Sequence, residues 1–333
     1  MPNLPKPRLR RPSRSRVDST TAAPTAPEPN VEVIERPGLR WINIERPGPL
    51  DRAWLEEHFD FHPLTYEDVS SRNQRPKIDE FDDYLFIVLH FPVFDSSVGR
   101  LNAGELDIFI GQDFLITLPN TPLQPLEYLF ERGRTSEDAR AELFNRGSGY
   151  LLYKIVDDSY DYCFPMLRKM GNKLDRIEEE IFGEGRSQEI VRDLSNVKQE
   201  IINFRKIIRP ERSVLRDLER TKQVYLPEDH ELYFDDIVDA SERIWDMLEN
   251  YKEVIEALEE TNESVINHRV NDILRVLTSI TVIVLPLTLL ASIWGMNVGV
   301  PGENDLTGFW IVVGSMVAVL LGMVFYFRRR GWL

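Results

Sequence analysis

The chain has 333 residues and carries 55 acidic against 40 basic residues, which gives a formal net charge of −15. This acidic balance argues against nucleic acid as a partner, because surfaces that bind nucleic acid are basic. The single cysteine, Cys163, excludes an intrachain disulfide and favours a reducing compartment.

Residues 1–30 differ in composition from the rest of the chain. They hold six basic residues among proline, serine and threonine, and only two acidic ones. No apolar stretch follows them, so the segment is not a cleavable signal peptide. The composition predicts a disordered basic tail, whose charge would also suit contact with anionic lipid.

Residues 31–148 mix strand and helix patterns. Runs rich in β-branched and aromatic residues predict strands at 41–44, 84–89, 105–110 and 113–117. Helical patterns lie between them at 49–59 and 63–71, and glycine and proline punctuate the other connections. The segment is predicted to be an α/β domain with a small sheet.

Residues 149–272 are predicted to form a bundle of long helices and a stalk. Apolar residues recur at three- and four-residue spacing over 150–182 and 187–221. This pattern predicts two long helices, kinked or broken at Pro165, Gly171 and Pro210.

The acidic excess is concentrated between residues 31 and 270. This part holds 50 acidic and 30 basic residues, a formal charge of −20. Such a field attracts cations, but an acidic surface also serves solubility alone. Charge by itself leaves both interpretations open.

Two apolar runs near the C-terminus are each long enough to cross a bilayer. Residues 276–294 and 309–327 contain 19 residues each without a charge. A hydrocarbon core of roughly 30 Å needs about 20 helical residues. We therefore predict a first transmembrane helix at 273–294, an external loop at 295–308, a second transmembrane helix at 309–327 and a basic C-terminus at 328–333.

The basic residues around these spans predict their orientation. Arg269 and Arg275 flank the first span and three arginines, 328–330, follow the second, whereas the charges of the loop are Glu303 and Asp305 alone. Basic residues favour the cytoplasmic side. We therefore expect a multi-pass protein of the cell membrane with both termini in the cytoplasm.

The first span is predicted to continue a helix of the soluble part. No glycine or proline occurs between Glu228 and Pro286. If 235–294 is one helix, its 60 residues reach about 90 Å at 1.5 Å per residue. A helix of this length needs neighbours along it. We infer an oligomer whose first spans surround an axis.

A polar stripe marks one face of this helix. Its members at helical spacing are Asn271, Thr278, Thr281, Thr288 and Ser292. Such residues either bond a neighbouring helix or line a pore. Beside them lie Leu274, Leu277 and Leu285, which could narrow a pore and gate it by dewetting. The loop above, which lacks basic residues and contains Gly295-Met296-Asn297, favours a path for cations.

Several separated motifs give the chain a resemblance to a known family. They are Trp41-Ile42-Asn43-Ile44, His62-Pro63-Leu64 with Glu67-Asp68, Asn73-Gln74-Arg75-Pro76-Lys77, Tyr150-Leu151-Leu152-Tyr153, Pro286-Leu287-Thr288, Gly295-Met296-Asn297 and the basic cluster that ends in Trp332-Leu333. Over residues 40–333 the chain resembles the CorA family of divalent cation (magnesium and cobalt) transporters.

The resemblance implies an α+β membrane protein that assembles as a homopentameric funnel in the bilayer. The cytoplasmic α/β domains would form the funnel, and the long helices would line the pore. By position, Asn297 would form the ring that first receives the ion, and Gly295 and Met296 would hold that turn. Asn271, Leu274, Leu277 and Thr288 would follow along the pore.

The transported ion that this resemblance implies is Mg²⁺, and Co²⁺ and Ni²⁺ are further candidate ions. Mg²⁺ dehydrates reluctantly, so neutral amide oxygens would hold the hydrated ion through its waters. Glu303 and Asp305 would only concentrate cations nearby. No prosthetic group is expected. The histidines show no metal spacing and no nucleophile motif is present, so we do not expect an enzyme.

The resemblance also implies cytoplasmic regulation by Mg²⁺ bound between subunits. The matching positions are Asp68 with Glu260, and Glu67 with Asp157 and Asp236, and all five are acidic. Loss of the bound ions would leave like charges facing each other. The ring would then loosen and the pore would open.

Two departures from the family pattern keep other hypotheses open. Trp294 stands where tyrosine is usual, and the loop at 298–303 contains glycine and proline, as in the zinc-transporting branch. A proton-coupled zinc transporter is therefore an alternative. Zinc prefers histidine and cysteine, which the loop and first span lack, so Mg²⁺ is favoured. A membrane-tethered cytoplasmic signalling protein without a pore is a third hypothesis.

Overall fold

The computed structural model describes residues 28–71, 74–95, 99–183, 187–221, 226, 230–296 and 306–332. It contains an N-terminal α/β domain with one sheet, a bundle of long helices and two apolar C-terminal helices. The predicted fold class is confirmed in these parts. The predicted basic tail lies almost entirely outside the described residues, and so do residues 297–305 of the predicted external loop.

A six-stranded sheet forms the centre of the α/β domain. Its strands are β1 (Glu32–Arg36), β2 (Leu39–Asn43), β3 (Lys77–Glu80), β4 (Leu85–Asp95), β5 (Arg100–Ile110) and β6 (Phe114–Pro119), in the spatial order β1-β2-β6-β5-β4-β3. Only the β2–β6 pair among these strands is parallel. The four predicted strands are confirmed, and β1 and β3 were not predicted.

Helices cover both faces of the sheet, since alternate side chains point to opposite sides. The helices α1 (Pro49–His58) and α2 (Pro63–Ser70) cover the smaller core, which contains Phe86 and Phe109. The larger core lies on the other face, where the sheet meets α3 (Gln124–Thr135), α4 (Glu137–Phe144), α5 (Ser148–Asp161), α6 (Cys163–Phe182), α7 (Ser187–Arg220) and α8 (His230–Trp294).

The predicted helix breaks are only partly correct. The helical pattern over 150–182 divides at Tyr162, between α5 and α6, and Pro165 occupies the first turn of α6, where its missing N–H costs no helical hydrogen bond. At Gly171 and Pro210 the predicted alternative of a break was wrong, because α6 and α7 continue through these residues, and the alternative of a kink stays a prediction. A Cβ at Gly171 would lie 2.8 Å from Tyr251 Oη, so glycine here permits the close approach of α8.

The long helix predicted from residue 235 is confirmed and begins earlier, at His230. The 65 residues of α8 correspond to roughly 100 Å of helix. The helix α9 (Leu306–Arg329) packs against its apolar end, where Ser279 and Ile283 of α8 are buried. By length and composition, both helices could cross a membrane.

Candidate ion path and regulatory carboxylates

The predicted stripe is exposed along the apolar end of α8. At 100° per residue its members lie within an arc of about 120°. All six proposed pore-lining residues are exposed: Asn271, Leu274, Leu277, Thr281, Leu285 and Thr288. The buried Ser279 and Ile283 lie on the opposite side of the helix, towards α9. The single chain therefore leaves this face free for another chain or for water.

The threonine hydroxyls of the stripe are oriented by their own helix. Thr281 Oγ1 donates to the Leu277 carbonyl oxygen at 2.9 Å, and Thr288 Oγ1 donates to the Val284 carbonyl oxygen at 3.0 Å. Each hydroxyl has one proton and two lone pairs, so these bonds leave the oxygen free to accept. An exposed row of oxygen acceptors suits a hydrated cation.

The stripe leads upwards to the tripeptide at the end of α8. Gly295 N–H donates to the Ala291 carbonyl oxygen at 3.0 Å, and the side chain of Met296 is exposed. A Cβ at residue 295 would lie 3.2 Å from that same carbonyl oxygen, so the turn is tight there. Asn297, Glu303 and Asp305 lie outside the described residues.

The stripe also continues downwards into the soluble part of α8. A shallow groove of about 310 Å³ lies directly below the apolar run. Its lining residues are Glu260, Glu263, Ser264, Asn267, His268 and Asn271. Glu260, predicted as a regulatory residue, thus shares a helix face with the proposed pore-lining residues.

Asp68 is held by a lysine of its own chain. It lies on α2, whose first residue is Pro63, and its Oδ2 accepts from Lys77 Nζ at 2.7 Å. The same ammonium group donates to Asp79 Oδ2 at 2.5 Å. Burial alone would lower the pKa of Lys77, but the hydrogen bonds to Asp68 and Asp79 raise it above its usual value. Lys77 therefore stays charged.

Asp157 is held in the same way on α5. Lys154 Nζ donates to Asp157 Oδ2 at 2.8 Å and lies 3.1 Å from Asp158 Oδ1. Burial and the charge of Asp157, with a smaller contribution from Asp236, raise the pKa of Tyr153 to about 12. The charges of Asp157 on α5 and Asp236 on α8 therefore both act on this tyrosine.

The five predicted regulatory carboxylates do not form a complete metal site within one chain. Among the described residues, no three histidine, cysteine or acidic side chains are placed to hold a metal ion. Glu67, Asp236 and Glu260 are exposed and have no ion-pair partner in the described part of the chain. Carboxylate oxygens are the donors that Mg²⁺ prefers, so the donor chemistry fits.

Two buried carboxyl groups were missed by the sequence analysis. Asp107 on β5 is 3% exposed, and its Oδ1 has no hydrogen-bond partner. Burial, then the charges of Glu105 and Asp68, raise its pKa well above the usual range. An acidic residue inside the apolar run of β5 was the available signal.

Glu211 on α7 is the second buried carboxyl group that the sequence analysis missed. It is fully buried, its Oε1 accepts from His90 N–H at 2.6 Å, and its Oε2 has no partner. Burial raises its pKa well above the usual range, although the bond from His90 opposes the shift. This carboxyl group connects α7 to strand β4, which lies next to the edge strand β3.

Comparison with known proteins identifies the family. The family model described as "CorA-like Mg2+ transporter protein" matches residues 37–329. The chain belongs to this family. CorA-family proteins transport divalent cations and are not enzymes.

Two curated relatives and one solved structure show the extent of the match. The "Cobalt/magnesium transport protein CorA" of Thermotoga maritima is 30% identical over 297 residues, 88% of this chain and 83% of the relative. The protein of the same name from Methanocaldococcus jannaschii is 27% identical over 313 residues, 92% and 96% of the two chains.

The solved structure titled "The complete structure of CorA magnesium transporter from Methanocaldococcus jannaschii" has the same fold. Its TM-score with this chain is 0.76 at 23% identity, and the match covers 89% of this chain and 92% of that one. The chain is therefore a CorA-family divalent cation transporter with the family fold.

Proposed function

We propose that the chain forms a homopentameric, gated channel that passes Mg²⁺ into the cytoplasm and also accepts Co²⁺ or Ni²⁺. Two relatives are named as cobalt/magnesium transport proteins, and the match with this chain covers at least 83% of the length of each. Both termini would lie in the cytoplasm, and the membrane potential would drive the ion inward.

The observation that carries this proposal is the exposed stripe of α8. Asn271, Thr281 and Thr288 share one face, and the face packed by α9 is the opposite one. Asparagine and threonine in an apolar helix are costly to leave against lipid. Assembly of several copies with the stripes inward would bury these residues around a water-filled axis.

The conduction path would begin at a ring of Asn297 amide oxygens, which replace outer-shell water around a hydrated cation. Thr288 and Thr281 would offer the next oxygen acceptors, and Asn271 would offer a last set at the cytoplasmic end. Leu277 and Leu285 lie between these polar levels. Rings of leucine at these levels would close the path by excluding water when the helices move together.

The regulatory step would use the five carboxylates on α2, α5 and α8. Bound Mg²⁺ would neutralise Asp68 with Glu260, and Glu67 with Asp157 and Asp236, across neighbouring subunits. When the ion leaves, these like charges repel each other. The repulsion would separate the subunits at the level of the stalk, and α8 would carry this movement to the leucines.

Ion flux into liposomes tests the proposed function. Liposomes with the full-length protein and a Mg²⁺-sensitive dye should show Mg²⁺ influx that follows an imposed negative internal potential without a pH gradient. The same liposomes loaded with a Zn²⁺-sensitive dye are the second arm. Influx of Zn²⁺ alone, dependent on a proton gradient, would overturn the proposal in favour of a zinc carrier. Absence of flux for any divalent ion would favour a protein without a pore.

Neutralising Asp68 and Glu260 together should weaken closure by internal Mg²⁺. In Asp68→Asn/Glu260→Gln, flux should persist at internal Mg²⁺ concentrations that close the wild type, because the proposed site has lost its charge. The control is Asp138→Asn/Glu142→Gln on α4, which removes the same two charges from exposed positions away from these residues. Equal closure in the two double variants would count against the regulatory assignment.

A further inference from the structure

Two of the five proposed regulatory carboxylates have a lysine partner in their own chain, and both pairs have the same form. Lys77 bridges Asp68 and Asp79, and Lys154 bridges Asp157 and Asp158. In each group the lysine binds one proposed regulatory carboxylate and one further carboxylate.

The second carboxylate of each group matters for the energetics. If another cation binds Asp68, Lys77 keeps its hydrogen bond to Asp79. If another cation binds Asp157, Lys154 keeps its ion pair with Asp158. Displacement therefore does not leave a part-buried ammonium without a partner, which would be costly. Each lysine can release the regulatory carboxylate while it stays in place.

Asp107 lies on the same face of the sheet as Lys77. In the sheet register Lys77 lies opposite Val88, and Val88 lies opposite Asp107, so both charged residues are on the face that α2 covers. Asp107 is almost fully buried, and its Oδ1 has no hydrogen-bond partner. The cluster of Asp68, Asp79 and Asp107 thus holds three carboxyl groups and one ammonium group.

The other proposed regulatory carboxylates are different. Glu67, Asp236 and Glu260 are exposed, and within the described parts of the chain no cation pairs with them. A divalent cation that binds between subunits would meet these three groups directly. To reach Asp68 or Asp157, it must compete with a charge-assisted hydrogen bond of 2.7 or 2.8 Å.

We propose that Lys77 and Lys154 are internal counter-ions that compete with the regulatory divalent cation for Asp68 and Asp157, and so set the cation concentration at which closure occurs. This inference rests on the proposed regulatory role of these carboxylates. Without bound metal, the lysines neutralise part of the acidic surface and limit repulsion between subunits. With bound metal, each lysine turns to its second carboxylate.

The test is the Mg²⁺ concentration at which the full-length protein becomes resistant to proteolysis. A glutamate-specific endopeptidase is suitable because none of the lysine substitutions creates or removes a glutamate. In Lys77→Met and in Lys154→Met we expect the midpoint of protection to fall about tenfold, because a competing charge-assisted bond has been removed. Lys77→Arg keeps the charge, so its Mg²⁺ midpoint of protection should be close to that of the wild type.

Lys173→Met is the matched control. Lys173 donates to both carboxylate oxygens of Glu200, at 2.7 and 2.8 Å, and connects α6 to α7 without touching a proposed regulatory residue. Its loss removes an equivalent ion pair and should leave the Mg²⁺ midpoint unchanged. Circular dichroism and the melting temperature of each variant establish that it is folded. If Lys77→Met does not fold, Lys154→Met decides the question.

The possible failures are distinguishable. A wild-type protein that Mg²⁺ does not protect would overturn both the regulatory assignment and this inference. A protected wild type with unchanged midpoints in the folded lysine variants would overturn the inference alone. A raised midpoint would also overturn it, because the lysines would then support the site rather than compete for it.

Discussion

Replacing Asn297 by alanine is expected to abolish potential-driven Mg²⁺ influx, down to the level of empty liposomes. Alanine removes the amide oxygen at the position where the hydrated ion is proposed to enter, and no other side chain of the tripeptide offers an oxygen. Mg²⁺ holds its water shell tightly, so entry depends on acceptors that replace outer-shell water. Dye fluorescence in liposomes with equal amounts of inserted protein measures the result.

Two hydroxyl variants of α8 serve as a matched pair for this experiment. Thr288→Val removes an exposed hydroxyl of the stripe and should reduce influx several-fold. Ser279→Ala removes a buried hydroxyl on the opposite side, which likewise donates to a carbonyl oxygen of its own helix, that of Arg275 at 2.8 Å. It should leave influx unchanged. Equal effects of the two changes, or normal influx in Asn297→Ala, would contradict the proposed path.

The second large effect concerns stability and pH. Because burial raises the pKa of Glu211 above its usual value of 4.5, the folded state binds a proton that the unfolded state releases. This stabilising contribution is full below pH 4.5 and is lost as the pH rises towards the raised pKa. Each pH unit in that window lowers the free energy of unfolding by about 1.4 kcal/mol.

Glu211→Gln should remove this loss of stability at high pH. The amide oxygen can still accept the His90 N–H, and the side chain no longer ionises, so the variant should melt at higher temperature than the wild type at pH 8. Thermal unfolding of the detergent-solubilised protein, followed by tryptophan fluorescence from pH 5 to pH 8, measures the difference.

Glu242 provides the opposite control for Glu211. Hydrogen bonds to Arg212 and Arg216 lower its pKa against the effect of burial. Its contribution is therefore present above the usual pKa and lost as the pH falls. Glu242→Gln should lower the melting temperature at pH 8, where Glu211→Gln raises it. If the melting temperature at pH 8 shifted in the same direction in both variants, burial of Glu211 would not explain the effect of its substitution.

The membrane part and the long helix could be predicted from the sequence for simple physical reasons. Two uncharged runs of 19 residues have few folded alternatives to a membrane helix. The absence of glycine and proline from 229 to 285 left nothing to stop the helix that became α8. Helical spacing then placed the stripe on one face, and the exposure of Leu277 and Thr288 agrees with that placement.

Other parts depended on tertiary contacts that periodicity does not contain. The strands β1 and β3 are short and rich in charged residues, and they form because β2 and β4 offer them an edge. The helices α3 and α4 were also not predicted. Gly171 is tolerated inside a helix because Tyr251 needs the space.

The proposed regulatory residues came from the family resemblance, and their lysine partners could not be found by pattern. Lys77 and Asp68 lie nine residues apart on a strand and a helix, so only the fold brings them together. Lys154 and Asp157 are three residues apart on one helix, which is a common spacing for exposed ion pairs. The significance of both pairs depends on which carboxylates are proposed to bind the regulatory ion.

Because α8 is one continuous helix, the number of residues between the soluble bundle and the membrane determines the direction in which the stripe faces. One added residue between Leu258, which packs in the soluble bundle, and Asn271 would swing the stripe through 100° and present leucine and threonine towards α9 or lipid. Seven added residues would return it to within about 20°. The helical phase of the stalk therefore sets the orientation of the pore face, and length changes in this segment are tolerable only where the added residues come close to whole turns, as with about seven, eleven or eighteen residues.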